Sequence, residues 1–252
     1  MKRIILFFIC LNSFYSSAQT KFAYGINGGI GISKAKFVSP NTIVGLSVQN
    51  TNFVHFDISA DWHMDNNFRI GVGFALDEYK DRYRFDELEY LSANHPDILK
   101  NIPNFLSSTF TETNSFPVPS FNLMLAYEYK PSKKIGIVPF VNYKFNYVPL
   151  YRDSLANQLS IGSSLVPDFE FNTWLSRPNE FNVSFVLGTK FRWYISKKHL
   201  LQLSLGYEYL TNNLKQGTLR INYLGKDSRE QVRYNGNNIN ITVGVLRYKN
   251  DL

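Results

Sequence analysis

Large apolar residues alternate with small or polar residues along much of the chain. In the stretch 121–129 the odd positions are Phe, Leu, Leu, Tyr and Tyr, and the even positions are mostly small or polar. The stretch 181–195 repeats this pattern, starting with Phe181, Val183 and Phe185 on one face. Because successive side chains of a β-strand point to opposite sides, a period of two predicts strands with one apolar face.

Eight segments of this kind are separated by connections that alternate between short and long. The predicted strands are approximately 22–33, 53–63, 68–80, 117–130, 135–148, 180–195, 200–211 and 238–248. Short connections rich in turn-forming residues lie near 65–67, 131–134 and 196–199. The long, polar connections are approximately 34–52, 81–116, 149–179 and 212–237.

Short turns at one end, long loops at the other and an even strand number are typical of membrane barrels. The pattern therefore predicts an all-β fold, a closed antiparallel up-and-down transmembrane β-barrel. Eight strands is the expected number. Ten strands is the alternative, because Ile43–Val48 offers a further apolar segment that would widen the wall.

The polar faces of the predicted strands carry charges of both signs, whereas the apolar faces are almost free of charge. The charges assigned to the lumen are Asp57, Asp61, Arg69, Glu128, Lys144, Lys190, Arg192 and Glu208. A water-soluble sheet usually has the opposite arrangement, with apolar residues inside and polar residues outside. The inverted pattern predicts that the outer wall faces lipid, where closure removes every sheet edge.

Charges inside a narrow barrel must pair, because an isolated buried charge costs on the order of several kcal/mol. We therefore predict that two cations of the segment 180–195 bind acids across the lumen. The cations are Lys190 and Arg192, and the candidate acids are Asp57, Asp61, Glu128 and Glu208. An eight-stranded barrel filled in this way is plugged, and we expect no open pore.

The first residues have the form of a secretory signal peptide. A basic start and the apolar run Ile4–Leu11 precede small residues and a predicted cleavage site before Gln19. The chain is thus predicted to comprise a signal peptide, residues 1–18, and a barrel domain, residues 19–252. The single cysteine, Cys10, lies in the signal peptide, so disulfides and thiolate chemistry are not expected in the mature protein.

Charge and composition narrow the possible partners. The chain has 27 Lys and Arg residues and 20 Asp and Glu residues, and removal of two basic residues with the signal peptide leaves a net charge of +5. No dense run of Lys or Arg follows, so a nucleic-acid partner is not expected. Aromatic residues make up 16% of the chain, a bias that favours strands.

These features resemble the outer-membrane β-barrel proteins of Bacteroidota, which are related in architecture to the eight-stranded OmpA and OmpX type. The resemblance rests on the cleavage region Ser17-Ala18-Gln19, the Gly-rich first strand Tyr24–Gly31, and Tyr-Glu-Tyr segments at 127–129 and 207–209. It implies export to the outer membrane, with the lipid bilayer and lipopolysaccharide as partners.

Aromatic residues near the strand ends are predicted to form two belts at the membrane interfaces. The belt residues are Trp62, Phe68, Tyr129 and Trp193 near the short turns, and Tyr143, Tyr147, Tyr207 and Tyr209 towards the long loops. Two residues depart from the strand pattern. Arg247 has outward parity and must reach the membrane edge, and Pro139 predicts a bulge or a missing ladder hydrogen bond.

The sequence contains no compelling catalytic or metal-binding set. His55, Asp57 and Ser59 are the residue types of a nucleophilic triad, but they follow one strand face with about 6.6–6.8 Å per step. A triad needs its base within about 3 Å of the nucleophile. The four histidines lack the compact spacing of a metal site. We therefore predict no enzymatic activity, no metal and no cofactor.

The long loops 81–116 and 149–179 carry the remaining information on function. Segment Asp86–Asn101 mixes apolar and acidic residues and predicts a short amphipathic helix. The many apolar residues of loop 149–179 indicate a cap over the barrel mouth or a binding surface. The favoured function is a non-enzymatic surface protein for binding, adhesion or envelope integrity. The alternative is an outer-membrane enzyme acting on lipid or peptide, or a conduit for small hydrophobic molecules.

Overall fold

The alternating segments form the wall of a barrel in a computed structural model of the protein. The structure describes residues 21–34, 36–37, 43–94, 96–101, 109–148, 157–160, 170–176, 181–212, 215–223, 226–234 and 237–249. The strands are β1 (Lys21–Lys34), β2 (Lys36–Phe37), β3 (Leu46–His63), β4 (Phe68–Asp86), β5 (Thr109–Tyr127), β6 (Tyr129–Ser132), β7 (Ile135–Tyr147), β8 (Asn157–Ser160), β9 (Glu170–Ser176), β10 (Phe181–Tyr194), β11 (His199–Leu210), β12 (Lys215–Tyr223), β13 (Lys226–Tyr234) and β14 (Asn238–Lys249). The helices are α1 (Glu87–Asn94) and α2 (Pro96–Asn101). The predicted signal peptide and most of loop 149–179 lie outside the described residues.

The eight long strands form a closed antiparallel ring. Their hydrogen-bonded order is β10-β11-β14-β1-β3-β4-β5-β7, and β7 pairs with β10 to complete the circle. The predicted fold class and the count of eight wall strands are confirmed. The ten-strand alternative is wrong, because Leu46 to Val48 are the first residues of β3 instead of a separate strand.

The short connections lie together at one end of the barrel, which we call the turn end. Between β3 and β4, Asn66 and Asn67 both have a φ of 66°. Two successive left-handed residues are the requirement of a type I′ hairpin turn, and Asn tolerates this conformation well. Between β10 and β11, the Ser196 hydroxyl accepts hydrogen bonds from the backbone N–H of Lys198 and His199 (3.2 and 3.1 Å).

Three neighbouring strands are longer than the sequence pattern predicts. β3 begins at Leu46 instead of near 53, β4 continues to Asp86 instead of 80, and β5 begins at Thr109 instead of near 117. The boundaries predicted for loops 34–52 and 81–116 are therefore wrong. The missed residues do alternate, but their outer face is polar, with charged residues on β4 and uncharged residues on β3 and β5. A search for an apolar outer face assigns such residues to loops.

The outer face of β4 shows where the change occurs. From Phe68 to Leu76 the outward residues are Phe, Ile, Val, Phe and Leu, and from Glu78 to Asp86 they are Glu, Lys, Arg, Arg and Asp. The register between β4 and β5 is unbroken from Phe68 to Asp86, so all ten residues point to the same side. Nine residues with an apolar outer face match the roughly 9–11 residues that a tilted strand needs to cross a bilayer.

The inner face of β4 changes in the opposite sense at the same level. Arg69 and Asp77 point inward below this level, whereas the inward side chains of Tyr79, Tyr83 and Phe85 above it are buried. A strand with charges inside and apolar groups outside therefore becomes a strand with apolar groups inside and charges outside. The change between Leu76 and Glu78 marks the level at which the polarity of the wall is inverted.

The apolar outer surface extends around the whole ring. Phe74 on β4 and Phe181 on β10 are each 69% exposed, and every wall strand contributes exposed Ile, Leu, Val, Phe or Tyr residues. A continuous band of this size is far larger than the apolar patches that soluble proteins leave in water. The band is the surface expected of a wall in contact with lipid.

The long connections lie at the opposite end, which we call the loop end. Loop 87–108 contains the two helices α1 and α2, where the sequence predicts one short helix. Three other long connections supply a second antiparallel sheet of five short strands in the order β2-β13-β12-β9-β8. None of the helices in the described part of the chain is long and apolar enough to cross a membrane.

A small apolar core, which we call the cap core, lies on the inner side of the extended parts of β3, β4 and β5. Its buried residues are Ile43, Leu46, Val48, Phe53, Tyr79, Tyr83, Phe85, Tyr90, Leu91, Phe116 and Val118. The ring of Phe53 stacks on Tyr79 at 5.0 Å, and Tyr79 stacks on Phe116 at 6.0 Å. The extension above the membrane level therefore has the apolar interior of an ordinary soluble sheet.

The two exceptions to the strand pattern lie as predicted. The ladder between β5 and β7 ends at Ala126 and Phe140 and resumes between Tyr129 and Ile137 in the same register. Pro139 falls in this gap, which confirms the missing ladder bonds. Arg247 is exposed near the end of β14, opposite His199 at the turn end, where its guanidinium can reach water.

Candidate functional site in the barrel lumen

The lumen holds the chemistry of the barrel, because the inward positions of the wall strands carry its buried charges. All eight charges that the sequence assigns to the lumen point inward. Six of them belong to two clusters of ion pairs, one towards the turn end and one towards the loop end. We call these the turn-end cluster and the loop-end cluster.

The turn-end cluster is built around Arg69, which is 1% exposed. Its Nη1 donates to Asp61 Oδ1 (2.8 Å), and its Nε and Nη2 donate to Glu128 Oε2 (3.2 and 2.6 Å). The hydroxyl of Tyr248 also accepts from Arg69 Nη2 (2.7 Å), and the hydroxyl of Tyr194 donates to Glu128. One guanidinium thus joins strands that are far apart along the chain.

Arg192 is the second cation of the turn-end cluster, and it is completely buried. Its Nη2 donates to Asp61 Oδ2, so that Asp61 lies between two guanidinium groups. Its Nε donates to Gln202 Oε1 (2.9 Å) on the neighbouring strand β11. The predicted pairing of Arg192 with one of the luminal acids is therefore present.

The loop-end cluster is built around Lys144. Its Nζ lies 2.7 Å from Asp77 Oδ2 and 3.0 Å from Glu208 Oε1. Glu208 also accepts hydrogen bonds from Ser184 Oγ (2.5 Å) and Asn238 Nδ2 (3.0 Å). Every acceptor position of this buried carboxylate therefore faces a donor, as the low local dielectric requires.

His55 connects two acids of the lumen. Its Nδ1 lies 2.5 Å from Asp77 Oδ1 and its Nε2 lies 2.9 Å from Asp57 Oδ2. A carboxylate only accepts hydrogen bonds, whereas a neutral imidazole has a single N–H donor. The geometry therefore fits an imidazolium ion that donates from both ring nitrogens.

A chain of hydrogen bonds joins the two clusters through the middle of the barrel. From Arg192 it runs to Gln202, whose Nε2 donates to Asn27 Oδ1 (3.2 Å). Asn27 Nδ2 donates to Asp57 Oδ1 (2.7 Å), and Asp57 accepts from His55, which reaches the loop-end cluster at Asp77. The lumen is therefore crossed by one connected polar network.

The charges of this network and of the neighbouring Lys190 balance. The carboxylates are Asp57, Asp61, Asp77, Glu128 and Glu208, and the cations are Arg69, Lys144, Lys190, Arg192 and the imidazolium of His55. At the rim of the turn end, Lys130 and His63 also approach Glu128 (3.3 and 3.4 Å). A neutral interior avoids the large cost of an uncompensated charge at the level of the hydrocarbon.

A polar cavity of about 70 Å³ lies between the clusters and is lined by Asn27, His55, Asp57 and Lys190, among others. The prediction that Lys190 pairs with an acid is wrong, since no carboxylate of the described chain lies within 4.0 Å of its Nζ. The ammonium group contacts Met124 Sδ at 3.0 Å and lies 5.0 Å from the centre of the Phe140 ring. The acids at its level already bind Arg69, Arg192 and His55.

The cap core closes the loop end of the network. The Tyr79 hydroxyl donates to Glu208 Oε2 (3.2 Å), and the Tyr79 ring lies in the aromatic stack of the cap core. Asp77 and Glu208 are both fully buried below it. The acids of the loop-end cluster are therefore ion-paired and lie beneath an apolar layer.

Several members of the network are absent from the set predicted by sequence. Asp77 and His55 share the inward parity of Asp57 and Asp61, so alternation places them inside the barrel without indicating a role. Tyr194, Tyr248, Gln202 and Asn27 carry no formal charge, so a search restricted to charged residues misses them. Inward parity combined with any hydrogen-bonding side chain is the signal that identifies all of them.

The predicted belt residues lie on the outer face. At the turn end, Phe68, Tyr129 and Trp193 are exposed and Trp62 packs against Phe22 at 5.2 Å. At the loop end, Tyr147, Tyr207 and Tyr209 are exposed near the strand ends. Tyr143 is deeper in the wall and contacts Phe145 and Phe185 at 4.7 and 5.0 Å. Their role as membrane-interface belts stays a prediction.

Outside the barrel, the hairpin β12–β13 carries a compact charged group. Arg220 and Arg229 are directly paired across the two strands, an arrangement that is repulsive by itself. Asp227 accepts from Arg220 Nε (2.7 Å) and from Arg229 Nε and Nη2 (2.9 and 2.8 Å). These hydrogen bonds lower the pKa of the Asp227 carboxyl group, which keeps the bridging charge in place.

No cluster of three or more His, Cys, Asp or Glu side chains in the described ranges is arranged to hold a metal ion. No protein-family model matches the chain, and no curated protein matches it. Solved structures similar to it are outer-membrane barrels. They include the Neisserial surface protein A (TM-score 0.43, 10% identity, 89% of this chain and 97% of that one) and OprG of Pseudomonas aeruginosa (0.47, 9%, 91% and 97%).

The outer membrane protease OmpT of Escherichia coli is also similar (TM-score 0.40, 8% identity, 92% of this chain and 99% of that one). At TM-scores under 0.5 and identities near 10%, these resemblances do not bear on what this chain binds or does. The fold assignment rests on the closed strand order of the chain itself.

We predict that the two inward cations of β10 differ in their contribution to stability. Arg192→Met removes one of the two cations that bind the buried Asp61 and the donor to Gln202 Oε1, and it should lower the free energy of unfolding by about 3–5 kcal/mol. Lys190→Met keeps the volume and the contacts with Met124 and Phe140, and should cost less than about 1.5 kcal/mol. Urea unfolding in lipid vesicles, followed by tryptophan fluorescence, measures both values.

Arg229→Met is the control, because it removes an exposed arginine with an ion pair worth about 0–1 kcal/mol. Equal losses for Arg192→Met and Lys190→Met, or an Arg192→Met protein as stable as the parent, would contradict the assignment of the network.

Proposed function

We propose that the protein is a non-enzymatic outer-membrane protein whose closed barrel anchors a surface built from its long loops. One observation carries this proposal. The lumen is occupied by a connected polar network beneath an apolar cap, while all long connections emerge at one end. The barrel interior then supplies rigidity, and the exposed loop end supplies the surface for binding, adhesion or envelope integrity.

The membrane location is supported by the outer face of the wall. An apolar band encircles the barrel, and on β4 it ends between Leu76 and Glu78. Long loops of such barrels face the outside of the cell and short turns face the periplasm. In this orientation the band contacts the bilayer, and the loop end meets the lipopolysaccharide of the outer leaflet.

We propose further that residues 1–18 are removed on export, so that the mature protein begins at Gln19. The support is the sequence pattern of a basic start, the apolar run Ile4–Leu11 and small residues before the cleavage site. A relationship to the Bacteroidota barrel proteins is part of the same proposal and rests on the motifs of the first strand and the cleavage region.

A non-enzymatic role is supported by the state of the acid and base groups. His55, Asp57 and Asp77 bind one another, Lys144 and Glu208 form an ion pair, and the cap core covers them. A general base must reach a substrate proton within hydrogen-bonding distance. A substrate arriving from the loop end meets the cap core before it meets any of these groups.

A closed lumen is supported by the way large inward side chains fit against small ones. The Phe53 ring occupies the space over Gly31, and the Phe140 ring occupies the space over Gly188. The interior of an eight-stranded barrel is just wide enough for side chains to fill, whereas channels of the porin type need 16 or more strands. We therefore propose that the cavity between the clusters does not continue into a channel through the barrel.

The surface available to a ligand is the loop end. It combines loop 87–108, with helices α1 and α2, and the five-stranded sheet to which loop 149–179 contributes β8 and β9. On the outer face of β13 the side chains of Arg229, Gln231 and Arg233 are exposed. We propose that an extracellular ligand binds here.

The location is tested by fractionating the envelope of cells that produce the protein. We expect the protein in the outer-membrane fraction, and N-terminal sequencing of the extracted protein should begin at Gln19. Recovery from the soluble periplasmic fraction would overturn the membrane assignment. A mature protein that still carries residues 1–18 would overturn the proposed cleavage.

The closed lumen is tested by electrical recording. Purified protein in planar bilayers should produce no steady, reproducible conductance steps in neutral salt, because the network and the cap core leave no continuous water path. Successful insertion is checked in the same preparation by protection of the wall from added protease. Uniform ohmic channels would contradict the closed lumen and would favour transport over surface binding.

A further inference from the structure

The outer face of β4 carries a row of cations just above the apolar band. Lys80, Arg82 and Arg84 occupy successive outward positions after Leu76 and Glu78. Unbroken pairing with β5 places them on the side of the wall that faces lipid below this level. We call Lys80, Arg82 and Arg84 the basic row.

The neighbours of the basic row are uncharged hydrogen-bonding residues. Lys80 is paired with Ser115 on β5, and Arg84 is paired with Thr111 on β5 and Ser47 on β3. Ser47, Thr111 and Ser115 are all exposed. The row is therefore flanked by hydroxyl groups, a second kind of side chain that contacts phosphate oxygens.

The acids at the two ends of the row lie too far from Lys80 and Arg84 to accept hydrogen bonds from them. Lys80 Nζ lies 3.9 Å from Glu78 Oε2, and Arg84 Nη2 lies 3.8 Å from Asp86 Oδ2. Both separations exceed hydrogen-bonding distance, and all four side chains are partly exposed. These carboxylates screen the cations without accepting their N–H groups.

The position of the row on the wall determines what it contacts. A strand rises about 3.4 Å per residue, and a tilt of about 45° converts this to roughly 2.4 Å of height. Lys80 is then about 10 Å above Leu76, and Arg84 is about 19 Å above it. The headgroup layer of an ordinary phospholipid is roughly 5–8 Å thick, so such a headgroup reaches Lys80 but not Arg84.

We propose that the basic row binds the phosphate groups of a phosphorylated glycolipid in the leaflet at the loop end. Such a headgroup is anionic and large enough to extend along the wall from Lys80 to Arg84. Charge-assisted hydrogen bonds from guanidinium to phosphate are among the strongest in proteins. This inference rests on the proposed membrane location, and it assigns the lipopolysaccharide contact to a defined site.

The test compares thermal unfolding of three full-length mature proteins in three kinds of vesicle. The proteins are the parent, the row variant Lys80→Gln/Arg82→Gln/Arg84→Gln, and a control that loses the same charge from the loops, Lys100→Gln/Arg229→Gln/Arg233→Gln. The vesicles are phosphatidylcholine alone, phosphatidylcholine with phosphatidylglycerol, and phosphatidylcholine with lipopolysaccharide. Protease protection in phosphatidylcholine alone reports insertion independently of any anionic lipid.

We expect lipopolysaccharide to raise the unfolding temperature of the parent and of the control by the same several degrees. With lipopolysaccharide, the row variant should lose at least half of this gain. In phosphatidylcholine alone, it should unfold at the same temperature as the parent. Phosphatidylglycerol should give a smaller gain, since its headgroup reaches only Lys80. The gain should decrease with added salt, as expected for exposed charges.

Three results would overturn the inference. If the row variant keeps the full gain in unfolding temperature, or if the control loses as much of this gain, the glycolipid does not bind at the basic row. An equal gain in phosphatidylglycerol would contradict a large glycolipid headgroup. Failure of the parent to insert into phosphatidylcholine would defeat the membrane location and this inference with it, whereas insertion without a row effect would defeat the inference alone.

Discussion

Hydrocarbon offers no hydrogen-bonding partner, and this constraint determines the architecture of the protein. A sheet in such a solvent must pair every backbone N–H and C=O group internally, so its edges must meet. The pairing of β7 with β10 provides that closure. Once the ring is closed, the outer face must be apolar, and every charge at the same level is confined to the lumen.

The luminal network follows from this confinement. Arg69, Lys144 and His55 each bind two carboxylates, and the chain through Gln202 and Asn27 connects the two clusters. Residues of β1, β3, β4, β7, β10, β11 and β14 take part, and Glu128 directly follows β5. The network therefore connects strands around the whole barrel. It fills the space through which a transported molecule would have to pass. What remains for function is the loop end and the surface of the wall.

The sequence predicts most of this because one rule, alternation with an apolar outer face, holds wherever the wall is in lipid. Phe68 to Leu76 obey it, and the eight wall strands were found by it. Residues 81–86 also alternate, but their charged side chains are on the outer face because this part of the strand contacts water. The same rule therefore assigns them to a loop. Lys190 shows a second limit of prediction from the sequence. Alternation places its charge in the lumen, but it does not indicate which acids already have a partner. Pairing depends on the stagger of the strands around the ring, which one sequence does not specify.

The passage of β4 from lipid into water is tested most directly by measuring the exposure of each position along the strand to lipid and to water. Single nitroxide labels at positions 68 to 86, in the protein reconstituted in bilayers, report collisions with lipid-soluble oxygen and with a water-soluble nickel complex. Even positions from 68 to 76 should collide mainly with oxygen, even positions from 78 to 86 mainly with nickel, and Ala75 with neither. Nickel accessibility at Ile70, Val72 and Phe74, or no change of solvent between Leu76 and Lys80, would contradict a wall that crosses lipid and leaves it at this level.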